Sequence, residues 1–246
     1  MASVLILGAT SGIGRAVAAE FARHGYDLAL TGRDRQEIDT IAADLAVRYG
    51  VQTRVHCFDA LAFETHAKTL EACLSEAASA VEGAILCIGY LGDQAAAQKD
   101  FAEARRILDT NLTACVSALH IIAHYFETRR SGFICAISSV AGDRGRQSNY
   151  LYGSAKGGLS IYLQGLRNRL FGSGVRVLTV KPGFVDTPMT FGRQGLFLVA
   201  SPERVARAIL KAIQRGQDVA YIPWFWQPIM FILRAIPERL FKRMRL

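Results

Sequence analysis

The chain is poor in cysteine and lacks the patterns that cysteines form in disulfide frameworks. Its 246 residues include five cysteines, Cys57, Cys73, Cys87, Cys115 and Cys135, and no two of them form a C-x-x-C pair. Three of the five lie in apolar runs typical of strands. An odd number of scattered cysteines of this kind predicts buried free thiols in a reducing compartment.

The chain also lacks the usual signs of targeting and of membrane-spanning segments. No run of 18 or more uncharged apolar residues is present, so no membrane-spanning helix is predicted. The apolar run Ser3–Leu7 is too short for a signal peptide and leads directly into glycines. With no repeat, low-complexity tract or linker, residues 1–246 are predicted to form one cytoplasmic domain.

The excess of positive charge is concentrated at the C-terminal end. The formal net charge is +8, and residues 229–246 carry five basic side chains against the single acid Glu238. The five are Arg234, Arg239, Lys242, Arg243 and Arg245. They follow the aromatic and apolar run Trp224–Leu233, so residues 223–246 form an apolar, basic extension.

Tryptophans beside basic residues are typical of a segment that lies on an anionic membrane surface, here the inner face of the membrane. Two alternatives remain open for the extension: its aromatic residues pack in a subunit interface, or they cover a substrate cleft. Nucleic-acid binding is not predicted, because the basic residues stand among tryptophans and not along a recognisable reading element.

The N-terminal part contains a strand, a glycine-rich turn and a helix in succession. The apolar run Ala2–Leu7 is typical of a strand buried on both faces. It leads into Gly8-Ala-Thr-Ser-Gly12-Ile-Gly14, after which Arg15–Arg23 has helical spacing. Glycines at such a turn let backbone N–H groups approach a phosphate at the positive end of the helix dipole. A tight turn without a ligand is the alternative, but its place at the first strand favours a nucleotide site.

The end of the second predicted strand indicates which nucleotide is bound. This strand, Tyr26–Thr31, is followed by Gly32 and Arg33 at the place where an acid would bind the 2′-hydroxyl of the adenosine ribose. A guanidinium without a carboxylate suits a 2′-phosphate, so NADP(H) is the preferred cofactor and NAD(H) the alternative. The other interpretation of Arg33 is a solvated side chain at the start of the helix that Asp34 caps and that runs to about Tyr49.

Strands and helices alternate along the rest of the chain with short connections. Further strands are predicted at Gln52–Phe58, Glu82–Ile88, Phe133–Ile137, Val175–Val180 and Val219–Ile222, and further helices at about Phe101–Arg129, at Tyr150–Phe171 and after Ser201. This order predicts an α/β protein with a Rossmann-type, doubly wound parallel sheet of about seven strands and helices on both faces. Ligands bind beyond the carboxyl ends of such strands. Residues predicted at that edge are Gly8–Gly14, Arg33, Asp59, Gly89, Ser139 and Pro182–Thr187.

Tyr152 and Lys156 are predicted to lie on one face of a helix, because they are four residues apart. A phenol titrates near pH ~10 and is a poor acid or base at neutral pH. A nearby ammonium favours the phenolate and is expected to lower the pKa of Tyr152 toward the working range. Such pairs also occur by chance, so the weight of this one depends on its place beside the predicted nucleotide site.

Two other polar features have ordinary explanations. Asn111 lies within the predicted helix Phe101–Arg129, where a solvent-facing side chain is the common case and a functional role the exception. His120 and His124 have the i, i+4 spacing of metal ligands, but the sequence offers no third ligand. No metal site is predicted.

Together these segments resemble the classical short-chain dehydrogenase/reductase family from Ser3 to about Tyr221. The matching segments are Gly8–Gly14, Asp59, Asn111 in Asp-Thr-Asn-Leu, Ile-Ser-Ser139, Tyr152-Gly-Ser-Ala-Lys156 and Pro182-Gly183. The resemblance implies an NAD(P)H-dependent oxidoreductase that transfers a hydride between nicotinamide and a ketone or secondary alcohol. The implied catalytic residues are Asn111, Ser139, Tyr152 and Lys156. The residues expected to bind the cofactor are Gly8, Thr10, Ser11, Gly12, Ile13, Gly14, Arg33, Asp59, Gly89, Tyr152, Lys156, Pro182, Gly183, Val185 and Thr187.

The resemblance also implies a role for each catalytic side chain. Tyr152 would donate a proton to the carbonyl oxygen of the substrate, and Ser139 would hydrogen-bond that oxygen. Lys156 would bind the nicotinamide ribose and lower the pKa of the tyrosine. Asn111 would hold a water that links the lysine to solvent.

The chain departs from the family pattern at two places, Leu7 before the glycine turn and Leu86-Cys87-Ile88 before Gly89. Both departures remove polar contacts, and neither involves the side chains that transfer the proton. The family also implies a homodimer or homotetramer assembled through the two long helices predicted at Phe101–Arg129 and Tyr150–Phe171.

One branch of the family, which contains the reductase component of the decaprenylphosphoryl-ribose epimerase, shares further segments. These are Gly89–Asp93, Ala141–Arg144 with Ser148-Asn149, and Ile236–Lys242. This resemblance implies reduction of a keto sugar linked to a polyprenyl phosphate, and Arg144, Arg146 and Asn149 are candidate substrate contacts. A solvated loop is the other interpretation of the two arginines. The alternative functions are a soluble reductase of a 3-oxoacyl thioester or small ketone, and a non-catalytic nucleotide-binding sensor.

Overall fold

A computed structural model of the protein describes residues 2–192 and 197–244. Its centre is a sheet of seven parallel strands in the order β3-β2-β1-β4-β5-β6-β7. The strands are β1 Ser3–Leu7, β2 Asp27–Gly32, β3 Thr53–Cys57, β4 Val81–Leu86, β5 Phe133–Ile137, β6 Arg176–Pro182 and β7 Val219–Ile222. The order reverses between β1 and β4, which opens a crevice at the carboxyl ends of these two strands. The Rossmann-type parallel sheet predicted from the sequence is confirmed.

Helices connect the strands and cover both faces of the sheet. They are α1 Gly12–Arg23, α2 Arg35–Tyr49, α3 His66–Ser75, α4 Gln94–Ala97, α5 Phe101–Leu108, α6 Ala114–Arg129, α7 Tyr150–Phe171, α8 Pro202–Gln214, α9 Trp226–Ala235 and α10 Glu238–Phe241. The bounds of α7 agree with the prediction. Helix α1 begins at Gly12, earlier than predicted, because the hydroxyl of Ser11 caps it through a 3.0 Å bond from a backbone N–H.

Successive strand residues point to opposite faces, so each strand contributes to two cores. In β1, Val4 and Ile6 pack with α1, α2 and α8, while Leu5 and Leu7 pack with α3, α6 and α7. All four side chains are fully buried. Each such burial stabilises the fold by roughly 1.5–3 kcal/mol relative to an exposed side chain. Burial on both faces explains why the strands read as continuous apolar runs.

The predicted helix Phe101–Arg129 is interrupted. Helices α5 and α6 are separated by a π-helical turn, Asp109–Thr113. Asn111 lies in this turn and is fully buried, which excludes the alternative of a solvent-facing side chain. A π-turn widens the helix by one residue and is frequent at functional sites.

Four of the five cysteines are buried, as predicted, and all five are free. Burial raises the pKa of Cys73 and of Cys87 to about 12, so these thiols stay protonated at neutral pH. The prediction is wrong for Cys57, which is exposed. Cys57 ends β3, and β3 is the edge strand of the sheet, so no neighbouring strand covers it.

The C-terminal extension folds back onto the domain as α9 and α10. Trp226 and Met230 are 2% and 1% exposed and pack with Val140. Within residues 2–192 and 197–244, no helix is both long enough and apolar enough to cross a membrane. Arg245, one of the five basic residues of the extension, lies outside the described residues.

Candidate active site

A cleft of about 1030 Å³ opens along the carboxyl edge of the sheet. Most residues predicted for the site line it, namely Gly8, Thr10, Ser11, Gly12, Ile13, Arg33, Asp59, Gly89, Ser139, Arg146, Asn149, Tyr152, Lys156, Pro182, Gly183, Val185 and Thr187. Gly14, Asn111 and Arg144 lie behind or outside the wall of the cleft. The topology therefore brings residues from all parts of the chain to one edge, as expected for a parallel sheet.

The turn between β1 and α1 requires glycine for steric reasons. Gly8 has a φ of +77°, and a Cβ there would lie 2.9 Å from the carbonyl oxygen of Cys87. A Cβ on Gly14 would lie 2.2 Å from the carbonyl oxygen of Gly8, so Gly14 supports the turn from behind. The absence of these two side chains lets the first turn of α1 approach the ends of β1 and β4.

Ser11 fastens the glycine turn to the neighbouring strand. Its hydroxyl donates to the carbonyl oxygens of Gly8 at 2.8 Å and of Cys87 at 3.3 Å. It also accepts the hydrogen bond that caps α1. This hydroxyl provides a polar link between the turn and β4 at the place where Leu7 and Cys87 depart from the family pattern.

One end of the cleft is bordered by Arg33 and Glu37. Glu37 forms a short ion pair with Arg15 of α1, so its charge is compensated. Arg33 is exposed at the end of β2 and forms no ion pair with any residue that the structure describes. This end of the cleft therefore presents a guanidinium that is available to a ligand.

Tyr152, Ser139 and Lys156 meet at the middle of the cleft because α7 packs against the end of β5. The buried hydroxyl of Ser138 holds this packing by donating to the carbonyl oxygen of Lys156 at 2.8 Å. The next residue, Ser139, acts on the Tyr152 hydroxyl and lowers the pKa of the phenol. The Lys156 ammonium lies 5.8 Å from the centroid of the Tyr152 ring. The three side chains are placed to act on one bound group.

The Lys156 ammonium is buried and is held by the ends of two strands. It donates to the carbonyl oxygens of Ile137 at 2.9 Å and of Ile88 at 3.3 Å. Lys156 is 2% exposed, and burial lowers the pKa of its ammonium. A Cβ added to Gly89 would lie 3.7 Å from Nζ, so the glycine keeps the space beside the ammonium open.

Asn111 is fixed behind Gly89 by three hydrogen bonds. Its Nδ2 donates to the carbonyl oxygens of Tyr90 at 2.6 Å and of Ile107 at 2.8 Å, and its Oδ1 accepts from the Tyr90 N–H at 3.1 Å. The amide therefore joins the π-turn to the segment after β4. Because its hydrogen bonds are made, the buried amide of Asn111 rigidifies this wall of the cleft.

The expected lowering of the Tyr152 pKa by Lys156 is not observed. Burial is the largest influence and raises the pKa of Tyr152 to about 12, and the effect of Ser139 opposes it only in part. The ammonium of Lys156 is directed at the two carbonyl oxygens and makes no contribution. The phenol is therefore protonated at neutral pH, which is the form that donates a proton.

The segment after β6 forms the opposite wall of the cleft. Thr187 reaches across to the glycine turn, where a Cβ on Gly12 would lie 2.9 Å from its Cγ2. A Cβ on Gly183 would lie 1.9 Å from Nε1 of Trp226, so α9 supports this wall from behind. Trp226 does not line the cleft itself.

A buried ionic network that was not predicted from the sequence lies beside this wall. Lys181 donates to Oδ1 of Asp143 at 2.5 Å, and the Tyr221 hydroxyl donates to Oδ2 of the same carboxylate at 2.7 Å. Asp143 directly follows the short 3₁₀ turn Val140–Gly142 that Ser139 caps. A lysine at the end of an otherwise apolar strand was the available signal, because a buried ammonium needs a partner.

The structure places Arg144 outside the cleft, against the prediction of a substrate contact. Its guanidinium holds the C-terminal extension: it donates to Oε2 of Glu238 at 2.8 Å and to the carbonyl oxygen of Arg234 at 3.2 Å. It also stacks 4.1 Å above the ring centroid of Phe241. These contacts occupy the guanidinium.

His120 and His124 are both exposed on α6. Over the described ranges, no cluster of three or more His, Cys, Asp or Glu side chains is arranged to hold a metal ion.

The cleft fits a dinucleotide cofactor. Its glycines leave space in the turn that side chains would otherwise fill. The first residues of α1 line the cleft, as a phosphate site at a helix N-terminus requires. Arg33 lies at one end, and Tyr152 with Lys156 lies further along the same cleft. Such a fold and side-chain set define a dinucleotide-binding oxidoreductase of the Rossmann type.

Comparison with known proteins agrees with this class. A family model described as short chain dehydrogenase matches residues 2–194. An uncharacterized oxidoreductase of Mycobacterium tuberculosis is 37% identical over 243 residues, which are 99% of this chain and 97% of the relative. Sulfoacetaldehyde reductase 2 of Chromohalobacter salexigens is 34% identical over 78% of this chain and 76% of its own. The solved structure of a short-chain dehydrogenase from Sphingobium yanoikuyae in complex with NADPH superposes with a TM-score of 0.82 at 28% identity, covering 97% of both chains.

The chain belongs to the short-chain dehydrogenase family. It is an NAD(P)-dependent oxidoreductase that acts on alcohol or ketone groups.

Proposed function

We propose that the protein is an NADPH-dependent reductase that converts a ketone to a secondary alcohol, with Ser139, Tyr152 and Lys156 as its catalytic residues. The observation that carries the proposal is the meeting of these three side chains beside the glycine turn in one cleft. Oxidation of NADPH on addition of a ketone tests it, and a protein that binds NADPH but oxidises none with any ketone would refute it.

Each side chain has a role that its environment supports. The nicotinamide supplies the hydride when bound. Tyr152, protonated at neutral pH, donates a proton to the carbonyl oxygen, and the Ser139 hydroxyl hydrogen-bonds that oxygen as negative charge develops on it. Lys156 provides a buried positive charge and a donor for the nicotinamide ribose. Asn111, fixed behind Gly89 by its bonds to the Tyr90 backbone, would hold a water that links Lys156 to solvent.

The preference for NADPH over NADH is proposed from the far end of the cleft. Gly32 offers no carboxylate for a ribose 2′-hydroxyl, and the Arg33 guanidinium, which has no ion-pair partner among the described residues, suits a 2′-phosphate. Glu37 also borders this end, but Arg15 neutralises it. The Sphingobium yanoikuyae relative was solved with NADPH. NAD(H) remains the alternative cofactor.

Replacing Arg33 by Ala is expected to weaken NADPH binding by about 10- to 100-fold, because hydrogen bonds to a charged group contribute about 1.5–3 kcal/mol. NADH, which lacks the 2′-phosphate, should lose less than about three-fold in affinity. Fluorescence titration of each nucleotide measures both values. The control is Arg35→Ala, since Arg35 lies two residues after Arg33, at the start of α2, but pairs with Asp39. Equal affinities of the wild-type protein for the two nucleotides would contradict the preference.

For the substrate, the branch that contains the decaprenylphosphoryl-ribose epimerase reductase supports a lipid-linked keto sugar at the membrane face. The exposed apolar side chains of α9 and of the segment just before it add a physical reason. Trp224, Phe231 and Ile232 are 73%, 74% and 63% exposed, and the basic residues Arg239 and Lys242 follow on α10 and just after it. Apolar side chains beside cations are suited to an anionic lipid surface.

A second candidate is a soluble carbonyl compound. The relative from Chromohalobacter salexigens is named for reduction of sulfoacetaldehyde, a small aldehyde that carries a sulfonate. The exposed apolar face of α9 would then meet another subunit. The family supports a dimer or tetramer, and large apolar side chains are also exposed on α5 and α7, namely Phe101, Ile161 and Phe171.

The double substitution Phe231→Ser and Ile232→Ser tests these candidates while leaving the buried Trp226 in place. Membrane contact predicts a loss of binding to vesicles that contain phosphatidylglycerol by about ten-fold or more, because two large apolar contacts are removed. Co-sedimentation measures the binding, and vesicles of phosphatidylcholine alone test its dependence on charge.

The matched control is Val47→Ser, which removes a side chain that is 88% exposed on α2. Unchanged vesicle binding of the double variant would contradict membrane contact. A lower mass of the double variant in light scattering would instead assign this face to a subunit interface.

A further inference from the structure

Two polar atoms on the wall of the cleft have no hydrogen-bond partner. They are Nε of Arg146 and Oδ1 of Asn149, and both are buried. Both residues line the cleft together with Ser139 and Tyr152, in the segment that leads into α7. Buried polar groups are normally paired, so two orphaned ones on residues three positions apart in the wall of a ligand cleft indicate groups that a ligand satisfies.

Arg146 differs from the ordinary solvated arginine. Burial lowers the pKa of its guanidinium, and no other group acts on it. No carboxylate of the described residues pairs with it. An arginine keeps its charge at neutral pH under any such shift, so the cleft wall carries an uncompensated positive charge beside the catalytic tyrosine.

The surroundings of Arg146 leave this charge unopposed. The acidic residues that line the cleft within the described part of the chain are Glu37 and Asp59, which follow β2 and β3 at its adenosine end. Besides Arg33, the other charged side chains that line the cleft are also cations: Lys156, which is held by two backbone carbonyl oxygens, and Arg106, which stacks 4.5 Å from the ring centroid of Tyr90. An anion at the catalytic end would meet a guanidinium and no like charge.

Arg144 is an internal comparison, since it lies two residues away in the same loop. Its guanidinium is occupied by Glu238, by a backbone carbonyl and by the ring of Phe241, and it does not line the cleft. The same loop thus holds one arginine whose donors are used by the fold and one whose Nε–H is unused. The residue with the unused donor, Arg146, is the one that lines the cleft.

We propose that Arg146 and Asn149 bind the substrate itself, with the guanidinium holding an anionic group, a phosphate or sulfonate, and the amide holding a hydroxyl of the same molecule. This inference rests on the proposed ketone reductase and names its substrate class: a hydroxylated carbonyl compound that carries an anion. The anion can belong to a soluble phosphomonoester or to the phosphodiester of a lipid-linked sugar, since both offer the same oxygens to a guanidinium.

The test compares one ketone with and without a phosphate. Dihydroxyacetone phosphate and dihydroxyacetone are each titrated into enzyme saturated with NADP⁺, which fills the cofactor site, to measure their Kd values. In a separate assay, the reduction of each compound by NADPH is followed. We expect the wild-type complex to bind the phosphate ester at least about ten-fold more tightly, a difference of about 1.4 kcal/mol. In Arg146→Gln this preference should disappear, while the affinity for NADPH and for neutral dihydroxyacetone stays within about three-fold. The methyl phosphodiester of the same ketone distinguishes the two sources, because tighter binding of the diester points to a lipid-linked substrate.

Two further variants keep the result decisive. Arg105→Gln removes an exposed cation on α5 that pairs with Asp109 outside the cleft, and it should leave the preference unchanged. Arg146→Lys retains the charge without the Nε–H, and it should lower the preference for phosphate without abolishing it. Arg146→Gln should not lower Tm, because the guanidinium has no ion-pair partner among the described residues. If the Arg146→Gln protein does not fold, the preference for phosphate is tested with Arg146→Lys, and an unchanged preference in that variant contradicts the anion site.

The outcomes separate this inference from the proposed function. An equal preference for phosphate in wild type and Arg146→Gln, or no preference in the wild type, overturns the anion site. Anion binding that depends on Arg146 without any ketone reduction leaves the site standing and refutes the reductase.

Discussion

Tyr152→Phe should lower kcat for ketone reduction by about 10²- to 10⁴-fold, the usual contribution of a positioned general acid. The substitution removes one oxygen atom and keeps the ring on α7. The substrate oxygen then has Ser139 as its remaining donor, and no group supplies the proton. Steady-state turnover with saturating NADPH measures the loss, and NADPH titration should give an unchanged Kd.

Tyr150→Phe is the matched control for this experiment. Tyr150 lies two residues earlier on the same helix, is 40% exposed and is not part of the cleft wall. Its substitution should leave kcat within about two-fold, because surface changes away from a site have small effects. Turnover of Tyr152→Phe close to that of wild type would refute the role of the phenol as proton donor.

The second large effect is expected on stability. Asp143→Ala should lower the free energy of unfolding by about 3–5 kcal/mol, because it leaves the Lys181 ammonium buried without a partner. The side chains of Asp143 and Lys181 are only 4% and 10% exposed, and the Tyr221 hydroxyl also loses its acceptor. Thermal unfolding should show Tm lower by roughly 6–20 °C for a chain of this length.

The control for this prediction is Asp44→Ala, which breaks the exposed i, i+4 pair with Arg48 at 2.7 Å. Exposed pairs contribute less than about 1 kcal/mol, so its Tm should hardly change. A second control replaces the whole network: Asp143→Leu, Lys181→Met and Tyr221→Phe together should recover most of the stability, because no buried charge is left unpaired. A loss of less than about 1 kcal/mol in Asp143→Ala would show that water reaches Lys181 and that the network is not a buried ion pair.

The Asp143 network also bears on catalysis through Ser139. Ser139 caps the turn Val140–Gly142 by accepting from the Ala141 N–H at 3.1 Å, and Asp143 anchors the far end of that turn to β6 and β7. The position of the catalytic hydroxyl is therefore set by residues that are distant in sequence. We expect the folded fraction of Asp143→Ala to turn over more slowly than wild type with unchanged NADPH affinity.

Local patterns in the sequence predicted the strands and the helix that carries Tyr152 and Lys156 well. β5, α7 and β7 have the predicted bounds, because continuous apolar runs and helical spacing depend on neighbouring residues alone. The pair Tyr152 and Lys156 follows from the same local geometry, since residues four apart share a helix face. The cleft could be predicted because the carboxyl ends of parallel strands meet at one edge.

The C-terminal extension shows where local patterns were insufficient. Its apolar run indicates an amphipathic segment, but not which side chains are buried by the rest of the domain. The structure divides them: Trp226 and Met230 pack behind Gly183 and Val140, while Phe231 and Ile232 remain exposed. The contact of Trp226 with Gly183 joins residues more than 40 positions apart in the sequence.

The sequence by itself determined the parallel α/β fold, the glycine turn and the Tyr152 and Lys156 pair, because each depends on spacing within one segment or on the order of segments. The tertiary structure alone decided which of Arg144 and Arg146 lines the cleft, the burial of Asn111, the upward shift of the Tyr152 pKa and the partners of Asp143. These depend on contacts such as that between Tyr221 and Asp143, which are 78 residues apart. Burial and charge pairing are properties of such contacts, and they arise only when distant segments pack together.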